Sequence, residues 1–532
     1  MNAAVGPAAD DAATEMLSEA HYSDIATTRA EGMVGPHQRL RSSVVPQLLP
    51  LPRSISWPLV VAVAAAGVVI AAMVALPFTY AVVFIVLGVV AITLVVLGLC
   101  NPQLAMLFLL VAMFLRLALP SVVANPFIFA FGGLVASFLL WLSVRSAERP
   151  RLGWLEGFMG LYVLWNIYSM FAPHLYVAAT YPLTGETMPV YRFILTGTVI
   201  PFVVYLVGRT IYRTAASVRV VLWAIVAFGA YSALVSIFQF YAPALVWPRY
   251  IVDAPEWQGR ANGVFQQPVV NGIVLTAGFI AAIVIIGECS RSPRWSKILA
   301  AASAMAMAYG VYLTHTRAVW LSFLVVVIVG LAFGKGIRTG FALTLTVMVV
   351  AVAVNWSEFI SDDRSAGGVA GANEVEDRLN GIATSIWAIE REPIVGWGIG
   401  RFTAVNTLHH QQWSQDVPWK RGLGIPSHFN ELGILVELGA IGLTLWVLVV
   451  VLLIKRLVVA IRTLPPDGLC GRNLGLMAVM LLGVLLVAGF TVDLRFFDFP
   501  NAMVFLVVGI TVGCANRLRA DGRKFGRIEK HV

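Results

Sequence analysis

Long apolar runs recur along most of the chain and constrain its fold more strongly than any other feature of the sequence. A helix needs roughly 20 apolar residues to cross the core of a bilayer. This chain of 532 residues, 59% of them hydrophobic, contains such a run many times over. Because lipid offers no partner for unpaired backbone groups, and the alternating pattern of a transmembrane β-barrel is absent, the runs predict helices. The predicted fold class is therefore all-α, a polytopic transmembrane helix bundle, and a soluble globular protein is excluded.

The hydropathy pattern predicts about fourteen spans. They lie near residues 58–76, 79–99, 103–119, 126–144, 153–171, 190–208, 217–241, 268–287, 295–313, 318–334, 338–354, 430–454, 473–491 and 500–517. The pattern has one long break, over residues 355–428. This break predicts a single large loop between two spans.

Basic residues predict the orientation of the spans. With the N-terminus in the cytoplasm, about two thirds of the 37 Lys and Arg residues fall in inner loops or tails, as expected from the positive-inside rule. Both termini are then cytoplasmic, the large loop is outside, and the net charge of +9 reflects topology and not a nucleic-acid site. The four cysteines fall at the inner face, which argues against disulfides; they are Cys100, Cys289, Cys470 and Cys514.

The chain divides into a bundle and two tails. Residues 1–57 are rich in Ala, Ser, Pro and Gly and hold no apolar core long enough for a signal peptide, so we predict a disordered cytoplasmic tail. Residues 58–517 form the transmembrane domain. Residues 518–532 form a basic cytoplasmic tail.

The outer loop contains a predicted helix and a glycine-rich segment. Asn373, with Glu376 three residues later, matches a capping box. Apolar residues at helical spacing follow it and predict an amphipathic helix that lies on the membrane surface or on the spans; they are Val375, Leu379, Ile382, Ile386 and Ile389. The next segment, PIVGWGIGRF at 393–402, contains G-x-G-x-G, but no strand precedes it. We therefore interpret it as a tight turn and not as a phosphate loop.

Titratable groups lie where the outer loop meets the next span. His428 stands just before this span, and histidine serves readily as a base near neutral pH, although a loop histidine can also be a solvated or capping residue. Glu437 falls in the first turns of the span, where a carboxylate needs a partner or water. Gly439 and Gly442 permit close approach of another helix.

Arginines collect at the outer ends of other spans. Arg192 begins one span, Arg260 precedes another, and Arg317 lies in a tight turn between two. Each could snorkel to lipid headgroups. Their gathering on the side where basic residues are scarce favours an anionic ligand instead, and guanidinium groups suit phosphate oxygens. The outer segments contain no D-x-D pair and no Cys/His cluster, so the sequence gives no support for a metal.

Four segments, taken together, resemble the motifs of the O-antigen ligase and polymerase superfamily, whose members are integral membrane enzymes. They are RANGVFQQPVVNG, HTRAVWLSF, RLNGIATSIWAIEREPIVGWGIGRF and HFNELGILVELGAIG, within residues 190–455. His428, Gly439 and Gly442 fall at the family's spacing. The sequence departs from the family at Phe429, where an Asn, Ser or Gln usually follows the histidine; here the asparagine is Asn430.

The resemblance implies a glycosyltransferase of the bacterial inner membrane that uses no metal and no cofactor. The donor is an undecaprenyl-diphosphate-linked glycan, used at the periplasmic face. Arg260 and Arg317 hold the diphosphate and neutralise charge on the leaving group. His428 takes a proton from the acceptor hydroxyl. Further substrate-binding residues are expected at Arg192, Arg401, Asn430 and Glu437.

Three functions remain open at this point. A polymerase that joins repeat units is favoured, because about fourteen spans resemble polymerases slightly better. A ligase would pass the finished glycan to a lipid or protein acceptor. A transporter would carry ionisable groups or broken helices near the membrane centre, whereas nearly every charge here lies at the end of a span. Expected partners are the donor, an acceptor glycan or lipid, membrane lipids and chain-length or export proteins, but no nucleic acid.

Overall fold

The computed structural model of the protein describes residues 101–528, apart from eight gaps. The gaps are 119–124, 146–149, 177–188, 254–258, 289–292, 362, 364–367 and 369–372. Every regular element in this part of the chain is helical, which confirms the all-α class. The tail predicted at 1–57 and the spans predicted at 58–76 and 79–99 lie outside the described residues.

The main helices are numbered here in chain order. They are α1 Pro102–Phe114, α2 Pro126–Val144, α3 Trp154–Phe171, α4 Val190–Ile211, α5 Ala215–Tyr241, α6 Pro268–Glu288, α7 Arg294–Leu313, α8 Arg317–Phe333, α9 Arg338–Val354, α10 Asn373–Arg391, α11 Phe402–Leu408, α12 Asn430–Thr463, α13 Arg472–Gly489 and α14 Asp498–Ile528. One turn of α4 is a π-helix, at Leu195–Val199. The last turns of α14 run through 518–528, part of the predicted basic tail.

A helix lies at each predicted span from 103–119 onward. Eight of the described helices are long and apolar enough to cross a membrane, namely α2, α4, α5, α6, α7, α12, α13 and α14. Three more, α1, α8 and α9, are apolar but shorter. The chain is therefore a membrane protein, while the total of about fourteen spans stays a prediction.

The core of the bundle is formed around α14 and α6. The membrane-crossing part of α14 is entirely buried inside the protein, and that of α6 nearly so. α14 packs along α4, and α6 packs between α5 and α7. Small residues of α14 permit its close contact with α4. A Cβ at Gly509 would overlap the α4 backbone at Tyr205, and one at Gly513 would overlap it at Arg209. Such spacing of small residues is what lets two helices approach closely in lipid.

An ion triad joins three helices at the end of α3 that lies away from the large loop. Glu156, in the first turn of α3, pairs with Arg209 of α4 and with Arg456 of α12, the latter at 3.2 Å. At the other end of α3, the Ser169 hydroxyl accepts a hydrogen bond from Ile399 N–H of the loop at 3.0 Å. The contacts at its two ends fix the orientation of α3 between the bundle and the loop.

The helix α12 is broken at Gly439, where φ is +65°. The glycine-rich segment of the loop fills the break: Trp397 N–H and Gly398 N–H donate to the carbonyls of Val436 and Glu437, both at 2.9 Å. A Cβ at Gly439 would overlap the carbonyl oxygen of Ile394, so only glycine fits there. The G-x-G-x-G segment is thus more than the tight turn that the sequence suggested, because it satisfies the backbone of the broken span.

The helix predicted in the loop is α10, but the face that it buries differs from the prediction. Its most buried residues are small or polar ones, including Asn380, Thr384 and Ala388, each fully buried. Two residues of the predicted apolar stripe, Val375 and Ile386, remain exposed. The polar face is buried because it binds loop backbone; Asn380, for example, accepts a hydrogen bond from Trp413 N–H at 2.9 Å.

Candidate functional site

His428 lies at a bend in the short segment that leads into α12. The Ser427 hydroxyl shapes this segment by accepting a hydrogen bond from Phe429 N–H at 3.2 Å, and the Phe429 carbonyl accepts the first helical hydrogen bond, from Gly433 N–H, at 2.8 Å. The His428 ring is half-buried and lines a small pocket between α10 and α11. Within the described part of the chain no group forms a hydrogen bond with this ring. Its nitrogens are therefore available to an incoming group.

The surroundings of His428 favour its neutral form. The pKa of His428 is lowered from 6.5 to about 4, chiefly by burial and in addition by the positive charge of Arg378. The negative charge of Glu374 acts in the opposite direction. A neutral imidazole predominates at every pH above the pKa, so His428 is able to accept a proton at neutral pH. The sequence alone suggested only the unperturbed value, near 6.5.

The first turn of α10 brings Arg260 close to the surroundings of His428. Arg260 donates from Nη1 to Glu374 Oε1 at 2.8 Å and from Nη2 to the Thr316 hydroxyl at 2.8 Å. Glu374 also acts on His428 electrostatically. Arg317 follows Thr316 directly as the first residue of α8, and it is half-buried. We call this set, formed by His428, Arg378, Glu374, Arg260 and Arg317, the His428 region.

His315 fixes the turn that presents Arg317. Its φ of +43° is left-handed, an uncommon conformation for a residue with a Cβ. The ring Nδ1 is hydrogen-bonded to the carbonyl of Gly259 at 2.7 Å, and Ala261 N–H donates to the Leu313 carbonyl at 2.8 Å. The segments that carry Arg260 and Arg317 are thereby joined. Sequence reasoning did not identify His315, although it lies inside the quoted motif HTRAVWLSF.

A second charged group lies deeper, where Glu437 meets the connection between α13 and α14. Arg495 binds both carboxylate oxygens of Asp493, at 2.9 and 2.7 Å, and donates to Glu437 Oε2 at 2.7 Å. All three side chains are at most 5% exposed. The other oxygen of Glu437 accepts a hydrogen bond from Phe402 N–H of α11 at 2.9 Å. We call these three residues the Arg495 cluster.

Glycines of two helices leave the space that Arg495 occupies. A Cβ at Gly197 of α4 would lie 2.9 Å from Arg495 Cβ, and one at Gly433 of α12 would lie 2.9 Å from Arg495 Nη2. The guanidinium also lies over the Phe193 ring, 4.8 Å from its centroid. Sequence reasoning missed Arg495, and the signal was the charged string in TVDLRFFDF between two spans. Both oxygens of Glu437 are engaged, which differs from the free substrate ligand that the sequence suggested.

The remaining predicted residues lie at the margins of these two groups. Arg192 is in the first turn of α4, next to the Phe193 ring that lies under Arg495. Arg401 donates to the carbonyls of Tyr176 and Ile399 at 3.0 and 2.6 Å, and burial lowers the pKa of Arg401. Asn430 is buried as the first residue of α12 and donates to Glu431 Oε1 at 3.2 Å. The structure thus links Arg260 to His428 through Glu374, places Arg317 next to Thr316, which binds Arg260, and pairs Glu437 with Arg495.

The two other histidines of the loop have structural partners. The His409 ring stacks on Trp387 at 4.4 Å between centroids and is hydrogen-bonded to the Tyr176 hydroxyl at 2.6 Å. The His410 ring is hydrogen-bonded through both nitrogens, to Asn406 and to the Trp419 carbonyl, each at 2.8 Å. Neither ring offers the open position that His428 has. No group of three or more His, Cys, Asp or Glu side chains that could hold a metal ion occurs among the described residues.

A comparison with protein families supports the resemblance. A family model described as O-Antigen ligase matches residues 302–447, just over a quarter of the chain. The matched stretch contains Arg317, α10, the glycine-rich segment and His428, whereas Arg260 and Arg495 lie outside it. None of the curated proteins compared with the chain matches it. The family match supports the resemblance to the O-antigen ligase and polymerase superfamily over residues 302–447, and together with the long apolar helices it indicates a membrane protein of polysaccharide biosynthesis.

Proposed function

We propose that this chain, which carries an O-antigen ligase domain at residues 302–447, is a membrane glycosyltransferase that uses undecaprenyl-diphosphate-linked glycan at the periplasmic face and joins repeat units as a polymerase. The observation that carries the proposal is the His428 region. There a neutral histidine without a hydrogen bond from the described residues faces the same helix, α10, that binds Arg260.

In this proposal the arginines bind the donor. The two phosphates carry the charge that Arg260 and Arg317 neutralise, and more charge develops there as the bond to the sugar breaks. Cations that are already oriented stabilise such developing charge most effectively. Glu374 and the Thr316 hydroxyl hold Arg260 from two directions, which restrains its guanidinium. The arginines supply positive charge where other glycosyltransferases use a metal ion.

His428 activates the acceptor. Its neutral ring takes the proton from an acceptor hydroxyl while the hydroxyl oxygen forms a bond to the anomeric carbon of the donor sugar. The bond between that carbon and the diphosphate oxygen breaks, and undecaprenyl diphosphate leaves with the electron pair. Attack from the side opposite the leaving group inverts the anomeric carbon. The proton on His428 is then released to the periplasm before the next cycle.

A ligase is the alternative within the same chemistry, and the description of the matched family favours it. The two differ in the acceptor, so the glycan that accumulates in a deletion strain separates them. Single repeat units on the lipid carrier would indicate a polymerase, and full-length polymer stranded on the carrier would indicate a ligase. An unchanged glycan profile would overturn the enzyme proposal.

The break in α12 brings the transporter alternative back into consideration, because broken helices and buried charges occur at transport sites. Here, however, loop backbone groups fill the break, and Glu437 is bound to both Arg495 and Phe402 N–H. A binding site for a transported ion would need some of these groups to be open. The arrangement therefore supports an anchor for the outer loop, and the enzyme remains the better proposal.

A further inference from the structure

Six aromatic side chains form a row at the end of the bundle where Arg317 begins α8. This is the end that the sequence predicts to be periplasmic. The six residues come from the last turns of α5 and α7, from the first turn of α8 and from the short helix that follows α9. They are Tyr241, Tyr309, Tyr312, Trp320, Phe359 and Trp356, and we call them the aromatic strip.

The rings of the aromatic strip follow one another with nearly parallel planes. In the order given, the centroids of consecutive rings are 5.8–6.5 Å apart, and their planes differ by 7–27°. Trp320 Nε1 donates to the Val311 carbonyl at 3.1 Å, which holds the ring of Trp320 in place. Tyr241 and Trp356, the two ends of the strip, are 67% and 55% exposed. The strip is therefore a continuous aromatic surface that is partly open to its surroundings.

The aromatic strip adjoins the turn that carries Arg317. Trp320 follows Arg317 by three residues on α8, so the two occupy neighbouring positions on the helix surface. The His315 ring makes edge-to-face contacts with Tyr312 and Trp320, at 5.5 and 6.3 Å between centroids. His315 is also the residue whose ring is hydrogen-bonded to the Gly259 carbonyl. A ligand whose phosphates lie at Arg317 would thus have its adjoining groups beside the strip.

The chemistry of the aromatic strip fits a sugar chain better than it fits a lipid anchor. Tyr and Trp do collect at membrane interfaces, but an anchoring ring has no need to align with rings of other helices. Here rings from four segments lie nearly parallel, and the exposed Glu358 is near enough to act electrostatically on Tyr312. The C–H groups of a sugar pack on the electron-rich face of an aromatic ring, while its hydroxyls form hydrogen bonds with polar groups at the edge.

We propose that the aromatic strip binds the glycan chain of the lipid-linked donor, with successive sugars on successive rings and the diphosphate at Arg317. The inference deepens the proposed function and rests on it. It applies to a polymerase and to a ligase, because both would use glycan on the same carrier. Contact through ring faces does not require one particular arrangement of hydroxyls, so the strip should hold chains of different lengths.

Binding of sugar to the aromatic strip is measurable without any transfer. The probes are oligosaccharides with increasing numbers of repeat units, released by partial hydrolysis from the polysaccharide of the producing strain, and they carry neither lipid nor diphosphate. Isothermal titration calorimetry on the purified full-length protein in nanodiscs should show an affinity that rises with the number of repeat units. Tyr312→Leu and Trp356→Leu keep an apolar side chain but lose the ring. Each should weaken the binding of the longer oligosaccharides by about two- to ten-fold.

Two further variants test whether the ring face is what binds. Tyr312→Phe keeps the ring and should bind as the unchanged protein does. Phe171 is 77% exposed at the end of α3 nearer the large loop, so Phe171→Leu should leave the affinity unchanged. Undiminished binding in both Tyr312→Leu and Trp356→Leu, or an equal loss in Phe171→Leu, would overturn the inference. A changed melting temperature or oligomeric state in Tyr312→Leu with undiminished binding would overturn it too, and would indicate a lipid anchor or a contact with a second copy of the chain.

Transfer assays distinguish failure of the inference from failure of the proposed function. In Tyr312→Leu the KM for long donors should rise by a similar factor while kcat changes little, because the strip touches no reacting atom. His428→Gln should bind the oligosaccharides as the unchanged protein does. An inactive His428→Gln variant together with undiminished binding in Tyr312→Leu and Trp356→Leu would overturn the inference alone. Binding that depends on the strip, in a protein without transfer activity, would overturn the proposed enzyme and leave the strip as a glycan-binding surface.

Discussion

The Arg495 cluster and the His428 region both adjoin the first turns of α12, yet the side chains of Arg495 and His428 differ in how completely they are bound by their neighbours. Arg495 binds Asp493 and Glu437 in a site that is almost closed to solvent. His428 is half-buried and has no hydrogen bond from the described residues. A buried charge without partners is costly, so complete pairing is what a structural cluster requires. A reacting group must instead keep a position open for substrate.

From this comparison we infer that the Arg495 cluster stabilises the fold and that the His428 region acts in transfer. The Arg495 cluster ties α12 to the α13–α14 connection and, through Phe402 N–H, to α11 of the outer loop. Because α10, α11 and the glycine-rich segment all pack on this part of α12, the cluster holds the loop that forms one wall of the His428 pocket. We therefore expect changes in the cluster to alter stability and changes in the His428 region to alter the rate of transfer.

The largest expected effect is at His428. Loss of a positioned base costs on the order of a hundred- to ten-thousand-fold in rate. His428→Gln should therefore insert and bind donor normally but transfer almost no glycan, because an amide does not take the proton. Transfer by the purified protein, with membrane insertion as the check, measures this. Near-normal transfer would contradict the role of His428 and make Glu431 or Glu437 the next candidate for the base. His409 and His410 are poor controls, because both rings support the loop.

The second effect is at the arginines. Arg317→Ala and Arg260→Ala should each lower kcat by about a hundred- to a thousand-fold, the usual cost of removing one oriented donor to developing charge. Arg317→Lys should recover only part of this, since an ammonium loses the planar fork. Arg249, an exposed arginine that donates to the Pro243 carbonyl at 2.7 Å and pairs with Asp253 at 3.4 Å, is the matched control. If Arg249→Ala were as harmful as Arg317→Ala, the effect would not be specific to the site.

The Arg495 cluster should respond in stability and not in chemistry. Glu437→Gln leaves a buried arginine with one carboxylate fewer, and disrupting a buried ion pair costs about 3–5 kcal/mol. We expect a clearly lower melting temperature in detergent, while the transfer rate per folded molecule falls far less than in His428→Gln. Glu390→Gln, an exposed change on α10, should leave both unchanged. An inactive Glu437→Gln protein with an unchanged melting temperature would place Glu437 in the chemistry.

The pH dependence of transfer should report the protonation of His428. Only neutral His428 accepts a proton, so kcat/KM should hold from about pH 7 to pH 5 and fall near the pKa of about 4. The folded pKa lies below the unfolded value of about 6.5, so the folded protein loses stability as the pH falls from 6.5 towards 4. Circular dichroism at each pH identifies any unfolding. A fall in kcat/KM already near pH 6.5, with the fold intact, would contradict the lowered pKa of His428.

The smallest effect concerns the side of the membrane on which both regions lie. A thiol reagent that does not cross the membrane should label a cysteine placed at Ser361 in intact spheroplasts, without loss of transfer. Native Cys470, in the connection between α12 and α13, should stay unlabelled until the membrane is opened. External labelling of Cys470 would reverse the predicted orientation and put the His428 region on the wrong face for a periplasmic reaction.

Three residues of the candidate site could be proposed from the sequence because they lie in motifs. His428, Arg260 and Arg317 each stand beside an apolar run, and charges at such positions are visible in the pattern alone. The roles of Glu437 and Arg495 were not predictable in this way. Their pairing joins positions 58 residues apart, and nothing in either local segment specifies its partner. The same limit explains why α10 was expected to bury its apolar stripe, when its polar face binds loop backbone.

The sequence by itself determined that the chain is a bundle of membrane helices, because apolar runs in lipid have no alternative that satisfies their backbone groups. It also predicted which loop would carry the chemistry, through the histidine, the arginines and the family motifs. Only the tertiary structure showed that the His428 ring has no hydrogen bond from the described residues and that Glu437 is bound to Arg495. It decided as well that Gly439 breaks α12 and receives the loop, since a positive φ and a close carbonyl depend on contacts between distant segments. Local composition determines whether a segment lies in lipid or in water. The partner of a buried charge is determined by the packing of the whole chain.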